Sequence, residues 1–290
     1  MKYMKAQIIK IVSKEYTLYT EEKEIVKAVL TGKIRKQVTP VVGDYVQAEK
    51  LHEQWTVQKI LERSSYMQRP AIANVNQALI IMSCKDPDFS SALVDRISIL
   101  VKKAGITPIL VVTKCDMGME GYIQESVEEY QNGPMRVILT GKDRNCEELE
   151  EVLKGKVSVL TGQSGAGKSS LLNRLDPTFQ LATQEISKAL GRGKHTTRHT
   201  ELHFVCGGLV ADTPGFSSLD FSNISKQELG QCMVDFEPYI GQCRFNDCIH
   251  QNEPGCAIKQ AVDEKKIPLR RYRNYLDVLE IIQQRKEKYL

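Results

Sequence analysis

The first 66 residues carry apolar positions in short, alternating groups. KAQIIKIVSKEYTLYT (from Lys5), VKAVLTGKIRK (from Val26), VVGDYVQAEK (from Val41) and WTVQKILER (from Trp55) are broken by Gly, Pro and polar turns. This pattern predicts a series of short, half-buried strands. From residue 76 the pattern changes. NQALIIMS (76–83) is a continuous apolar run, so a buried strand. LVDRISILVKKAG (93–105) has helical apolar spacing and stops at Gly105. ITPILVVTKCD (106–116), MRVILTGKD (135–143) and VSVL (157–160) are further buried strands, and SLLNRL (170–175) is helical again. Strands alternating with helices predict an α/β arrangement with a parallel sheet and functional loops at its carboxyl edge. The last 23 residues, PLRRYRNYLDVLEIIQQRKEKYL, predict a helix opened by Pro268, a favoured first-turn residue. Its apolar stripe, Leu269, Tyr272, Leu276, Leu279 and Ile282, advances in steps of three and four residues.

Composition narrows the class without naming a chemistry. A chain of 290 residues, 41% apolar and 26% charged, suits a soluble protein of two or three domains. No apolar run approaches the roughly 18 residues of a membrane span, and the lysines of MKYMKAQIIKIVSK interrupt any signal-peptide core. The net charge is only +4, but it is unevenly spread: residues 1–72 hold 13 Lys/Arg against 8 Asp/Glu, and 265–290 hold 8 against 3. Basic ends flanking the centre suit a polyanionic partner. Cys84, Cys115, Cys146, Cys206 and Cys232 are dispersed and read as free thiols of a reducing cytosol. Cys243, Cys248 and Cys256 are different. With His250 they form C-x4-C-x-H-x5-C within GQCRFNDCIHQNEPGC. Three thiolates and an imidazole complete a tetrahedral Zn²⁺ set with no position for water, so one structural zinc per chain is expected. Its binding would contribute about 10–16 kcal/mol of apparent free energy that is also folding energy.

The strongest chemical signal is KVSVLTGQSGAGKSSLLNRL, from Lys156. A strand, a glycine loop of the form G-x-x-x-x-G-K-S and a helix follow one another, which is the setting a phosphate-binding loop needs. Gly162, Gln163, Ser164, Gly165, Ala166, Gly167, Lys168, Ser169 and Ser170 are the expected nucleotide contacts. Backbone N–H groups and a helix N-terminus cradle the phosphates, Lys168 reaches the β- and γ-phosphates, and Ser169 offers its hydroxyl to Mg²⁺. Thr113-Lys114-Cys115-Asp116 ends an earlier strand. An aspartate there can accept both guanine N1–H and the N2 amino group, with Lys114 lying along the base. The usual first residue of such a motif is Asn, which ties the loop to the phosphate loop; here it is Thr113. TGK at 140–142 can back the base with a main-chain N–H. Downstream, GGLVADTPGFSSLD places Asp212-x-x-Gly215 at a strand end. Asp212 suits Mg²⁺ through water, and the Gly215 N–H suits the γ-phosphate. ALGRGKHTTRHTEL (189–202) is glycine-rich and polar, the composition of a switch loop, with Thr196 or Thr197 as the magnesium ligand.

All parts of a GTP site are therefore present, in a shuffled order. The base-reading motif precedes the phosphate loop instead of following the D-x-x-G. A circular permutation accounts for this, because a pocket built from loops at one sheet edge does not require a given chain order. TKCD, GQSGAGKSS, GKHTT, DTPGF and CRFNDCIHQNEPGC, in that order, make the chain resemble the bacterial ribosome small subunit-dependent GTPase A family over essentially its whole length.

The resemblance implies an oligonucleotide-binding (OB-fold) barrel at 1–66, a circularly permuted GTPase domain at 67–222, and a helical zinc-binding domain at 223–290. It further implies GTP hydrolysis with Mg²⁺ in late 30S maturation, stimulated by the 30S subunit, on which other assembly factors also act. The GTP form would bind the subunit and 16S rRNA, and the GDP form would leave it. The protein would be a cytoplasmic monomer with no membrane association. Lys33, Arg35 and Lys36 of the barrel, and Arg270, Arg271 and Arg273 of the last helix, are the candidate RNA contacts. Phe216 occupies the place where many GTPases carry a water-orienting glutamine, so slow intrinsic hydrolysis is expected. His195 is a candidate for positioning water, or else an RNA- or solvent-facing side chain. Two other readings compete: a P-loop ATPase or kinase with no use for Asp116, and an RNA-binding protein in which GTP is purely structural.

Overall fold

A computed structural model of the protein describes residues 3–31, 34, 38–144, 146–177, 200–212 and 219–287. The chain clusters into two compact units, each assembled from separated stretches. The first comprises Met1–Gln77, Cys146–Leu160 and Lys168–Pro214; the second comprises Ala78–Asn145, Thr161–Gly167 and Gly215–Leu290.

The alternating N-terminal segment forms five strands, β1 (Met4–Val12), β2 (Glu15–Thr20), β3 (Ile25–Leu30), β4 (Tyr45–Leu51) and β5 (Gln54–Ile60). They close into a barrel in the order β1-β2-β3-β5-β4. Only the β3–β5 pair is parallel. The period-2 pattern does its expected work in β2, where Tyr16, Leu18 and Thr20 point inward. Ile8, Leu18, Val46, Ala48 and Val57 fill the interior with no exposed surface. A register shift between Ile8 and Lys10 marks an irregularity in the β1–β2 ladder, the kind of feature that lets a strand bend into a closed sheet. Just before β4 the Asp44 carboxylate is fully buried. It accepts the Val41 N–H at 2.8 Å and two Arg63 N–H groups at 2.7 and 2.8 Å, the paired geometry that makes a buried charge tolerable. A short hairpin follows, β6 (Tyr66–Gln68) and β7 (Ala71–Ala73).

The chain then enters the second unit through β8 (Gln77–Ser83), α1 (Ser91–Lys103), β9 (Thr107–Thr113), α2 (Gly121–Gln131) and β10 (Arg136–Leu139). The order β10-β9-β8 puts the fully buried β8 beside β9, and β10 runs parallel to β9. Ser90 caps α1 by accepting the Leu93 N–H. The chain returns to the first unit with α3 (Glu147–Leu153), the start of β11 (Val157–Gly162), α4 (Lys168–Leu175), β12 (Leu202–Val205) and β13 (Gly208–Asp212). Here β13 is parallel to β11 and antiparallel to β12. Lys10 of β1 pairs with Glu201 at 2.8 Å, next to β12.

The C-terminal part of the second unit is α5 (Lys226–Cys232), a 3-10 turn at Val234–Tyr239, α6 (Ala257–Asp263) and α7 (Leu269–Glu287). Ser225 and Glu228 form a reciprocal capping box at the start of α5. Phe221, Ile224, Leu229, Met233, Phe236, Ile258, Tyr275, Val278 and Leu279 share a core with Ile99 of α1. Within that core lies a polar knot. Arg271 is only 1% exposed and pairs with Asp95 of α1 and Asp235 of the 3-10 turn. Tyr130 donates to Asp95 at 2.8 Å and lies beneath the Arg271 guanidinium, 3.9 Å from ring centre to Cζ.

Candidate functional site

The phosphate-loop segment adopts the backbone its glycines imply. Gly162 sits at φ +125°, and a Cβ there would lie 2.0 Å from the Ile81 carbonyl oxygen, so nothing larger than glycine fits at the exit of β11. Gly167 is left-handed, with φ +89°. A turn closed by the Ala166 N–H on the Gln163 carbonyl at 3.3 Å leads onward. Ala166 is fully buried, whereas Ser164 and Gly165 are exposed. α4 begins at Lys168, so the N–H groups of its first turn follow directly on the loop, at the positive end of the helix dipole. Ser169 and Ser170 are exposed in that first turn.

The Thr113–Asp116 segment comes to the same loop, although Gly162 lies 46 positions after Asp116 in the chain. The Thr113 hydroxyl donates to the Ala166 carbonyl at 2.6 Å, with the Met82 carbonyl farther off at 3.2 Å. Thr113 thus makes the tie that Asn makes in the commoner motif. Lys114 is left-handed, with φ 57°, and its Nζ donates to the carbonyls of Lys85 and Asp86. That conformation starts the 3-10 turn Cys115–Met117, which leaves Asp116 exposed at the loop tip. The third loop closes on it from β10. The Cys115 N–H donates to the Thr140 carbonyl at 3.1 Å, and the Lys142 N–H to Asp116 Oδ1 at 3.1 Å. A Cβ on Gly141 would stand 2.7 Å from Asp116 Oδ1. A side chain at position 141 would therefore crowd the Asp116 carboxylate, a packing constraint that TGK only hinted at.

Other predicted positions divide sharply. Asp212 ends β13, and its register partner is Leu160, two residues ahead of Gly162 on the strand that enters the phosphate loop. Gly215, His195, Thr196 and Thr197, with the whole 189–199 segment and Phe216, lie outside the described residues. So do Lys33, Arg35 and Lys36. Arg271 requires a correction: it is the buried centre of the Asp95–Asp235 knot and has no surface to offer RNA. The helix turns 271, 275, 278, 279 and 282 inward, while Leu269, at the start of the expected stripe, is 50% exposed. Arg270 is already engaged, stacked 4.5 Å over Tyr122 and hydrogen-bonded to Glu125 at 3.2 Å. Arg273 is exposed.

The Cys3His cluster assembles as its spacing implied. His250 Nδ1 lies 3.5, 3.4 and 3.5 Å from the Sγ atoms of Cys243, Cys248 and Cys256, and Cys243 and Cys256 Sγ are 4.0 Å apart. Ligand atoms about 2.0–2.3 Å from one zinc in a tetrahedron are separated by roughly 3.5–3.8 Å, so the donor set and its dimensions fit a metal ion of that kind. Burial pushes the Cys248 thiol up to about 12 and lowers the His250 imidazole. A cation must therefore displace the thiol protons on binding.

The surrounding shell was not evident from sequence. The Glu253 carboxylate gathers the N–H groups of Ile249, Gln251 and Asn252. Tyr272 and Tyr275 of α7 donate to the carbonyls of His250 and Ile249 at 2.7 and 2.6 Å. Gly230 of α5 abuts the imidazole so closely that a Cβ would lie 2.7 Å from His250 Nε2. Such outer groups fix the orientation of a metal ligand. The apolar spacing of the last helix did mark Tyr272; Glu253 and Gly230 carried no such signal.

Comparison with known proteins agrees with this geometry. The family model of the RsgA GTPase matches residues 60–222. The small ribosomal subunit biogenesis GTPase RsgA 2 of Oceanobacillus iheyensis is 43% identical over 289 residues, covering 98% of this chain and 99% of that protein. The small ribosomal subunit biogenesis GTPase RsgA of Bacillus subtilis is also 43% identical, over 296 residues, with the same coverage. Among solved structures, YloQ, described as a circularly permuted GTPase, superposes with a TM-score of 0.84 at 36% identity, covering 98% of this chain and 96% of that one. YjeQ from Thermotoga maritima superposes with a TM-score of 0.83 at 30% identity, over 97% and 99%. A Thr-Lys-Cys-Asp loop bonded to a glycine loop that follows it in sequence, the Cys3His cluster, and matches of this extent lead to one conclusion: the chain belongs to the RsgA GTPase family.

Proposed function

We propose that the protein hydrolyses GTP with Mg²⁺ during late maturation of the 30S ribosomal subunit, binding 16S rRNA in the GTP state and leaving after hydrolysis. The observation that carries this reading is the Thr113–Ala166 hydrogen bond, which joins the base-reading loop to the phosphate loop. The printed names of the relatives supply the cellular context. In this reading Asp116 selects guanine, backed by the Lys142 N–H. Lys168 and the loop N–H groups hold the phosphates, and Ser169 and Asp212 hold Mg²⁺. Thr196 or Thr197 completes the metal shell, and Gly215 senses the γ-phosphate. His195 orients the attacking water when the subunit is bound.

The ion in the Cys243–Cys248–His250–Cys256 cluster is a structural zinc. Lys33, Arg35, Lys36 and Arg273 meet RNA phosphates; Arg270 is a weaker candidate because it already serves Glu125. The functional division is an RNA-binding barrel at 1–66, the GTPase at 67–222 and the zinc-binding region at 223–290. The protein acts as a monomer in the cytoplasm, where subunits mature, on a particle it shares with other assembly factors.

The test is GTP turnover with and without purified 30S subunits. Slow intrinsic turnover, raised by orders of magnitude on adding 30S, is expected. Turnover indifferent to the subunit, or a preference for ATP, would overturn the reading.

A further inference from the structure

Two free thiols meet directly beneath the base-reading loop. Cys84 follows the end of β8 and is 1% exposed. Cys115 is the third residue of the Thr-Lys-Cys-Asp motif and is partly exposed. Their Sγ atoms are 3.6 Å apart, with the Cys84 thiol donating to the Cys115 sulfur. The backbones are pinned together at the same place, because the Cys84 N–H donates to the Thr113 carbonyl at 3.0 Å. Neither sulfur belongs to the Cys3His cluster. We propose that Cys115 and Cys84 form a reversible oxidation site for hydroperoxides, and that closing their disulfide disables guanine-nucleotide binding.

The two sulfurs are chemically unequal in the way such a pair requires. The hydrogen bond from Cys84 lowers the Cys115 thiol below its ordinary range, while the same bond and burial raise Cys84. Cys84 is buried and Cys115 is partly exposed, so peroxide reaches Cys115 first, and it reacts as the thiolate. Its sulfur attacks one oxygen of hydrogen peroxide. The O–O bond breaks, an S–O bond forms, and the departing hydroxide takes up a proton to become water. The Cys84 sulfur then displaces the sulfenic oxygen: the S–S bond forms, the S–O bond breaks, and the oxygen leaves as a second water with the Cys84 proton. The two thiols supply two electrons, and one peroxide accepts them.

The consequence follows from what flanks Cys115. A disulfide is about 2.0 Å long, so the sulfurs must approach by more than 1 Å from their present separation. The move pulls on a residue whose neighbours are Lys114, anchored on the Lys85 and Asp86 carbonyls, and Asp116, held by the Lys142 N–H. Misplacing the Asp116 carboxylate forfeits its charge-assisted hydrogen bonds to the base, which lowers binding by about tenfold or more. Because Cys115 adjoins Asp116, bound nucleotide shields it and slows the reaction.

The effect on nucleotide affinity rests on the guanine-reading role of Asp116, whereas formation of the disulfide does not, so the two can fail separately. The full-length, zinc-loaded protein is treated with hydrogen peroxide, with and without GDP. Peptides are mapped by mass spectrometry under non-reducing conditions, and affinity for a fluorescent GDP analogue is measured before oxidation, after it, and after dithiothreitol. The expected result is a Cys84–Cys115 cross-linked peptide, formed more slowly with GDP present. Affinity should fall about tenfold or more, recover on reduction, and stay unchanged by peroxide in the Cys84→Ala variant. Absence of that peptide overturns the oxidation site. The peptide without loss of affinity, or an equal loss in Cys84→Ala, overturns its control of nucleotide binding. Weak GDP binding by the untreated, reduced protein would instead count against the guanine-reading role.

Discussion

Thr113 carries more of the pocket than its side chain suggests. The motif is legible in sequence with Thr in the usual place of Asn, but a one-dimensional pattern does not reveal how far away the partner lies. In the fold the Ala166 carbonyl comes within 2.6 Å, close enough for the shorter side chain to reach. Thr113→Val keeps the shape and removes the donor. A buried carbonyl left without its partner costs about 1–3 kcal/mol, so chemical denaturation should show a loss of that size, with weaker GDP binding. Thr113→Ser, which keeps the hydroxyl, should lie near the parent. Gly230 is a second position invisible to motif reading, since its role is to leave room for His250. Gly230→Ala puts a methyl group where the imidazole ring stands. Metal analysis of the purified variant should give well under one zinc per chain, with a lowered Tm; full zinc occupancy would refute the packing argument.

Among the elements, α7 shows why pattern alone misassigned a charge. The apolar spacing located the helix and its inward residues Leu279 and Ile282, but an arginine triplet beside Pro268 reads as surface until the two aspartates on other elements are known. Asp95 lies 176 residues away in sequence, and nothing local announces the pairing. Arg271→Met leaves both carboxylates buried and uncompensated, a situation that costs about 3–5 kcal/mol. Thermal or urea unfolding should register it as the most destabilising change in the helix. The exposed Arg273 separates stability from binding. Arg273→Ala should alter stability by no more than about 0.5 kcal/mol, while weakening association with 30S and reducing its salt dependence by about one phosphate's worth.

For the molecule as a whole, most of the architecture was legible because each part is encoded locally. Alternation encodes the barrel, continuous apolar runs encode β8 and β9, and ligand spacing encodes the Cys3His cluster. Shuffled motif order pointed to permutation, and the Thr113–Ala166 contact brings its two critical loops together. What stayed hidden depends on distant partners: the Arg271 knot, the Gly141 approach to Asp116 and the shell around His250. The central claim is that these loops surround one guanine nucleotide, and it is tested most directly by changing what Asp116 accepts. Asp116→Asn should lose GTP turnover by roughly a hundredfold or more, because a mismatched hydrogen-bonding pair in such a site is heavily penalised. It should gain turnover of xanthosine triphosphate, whose base offers an oxygen where guanine has its amino group. Undiminished GTP turnover by Asp116→Asn, with no gain on xanthosine triphosphate, would contradict the account.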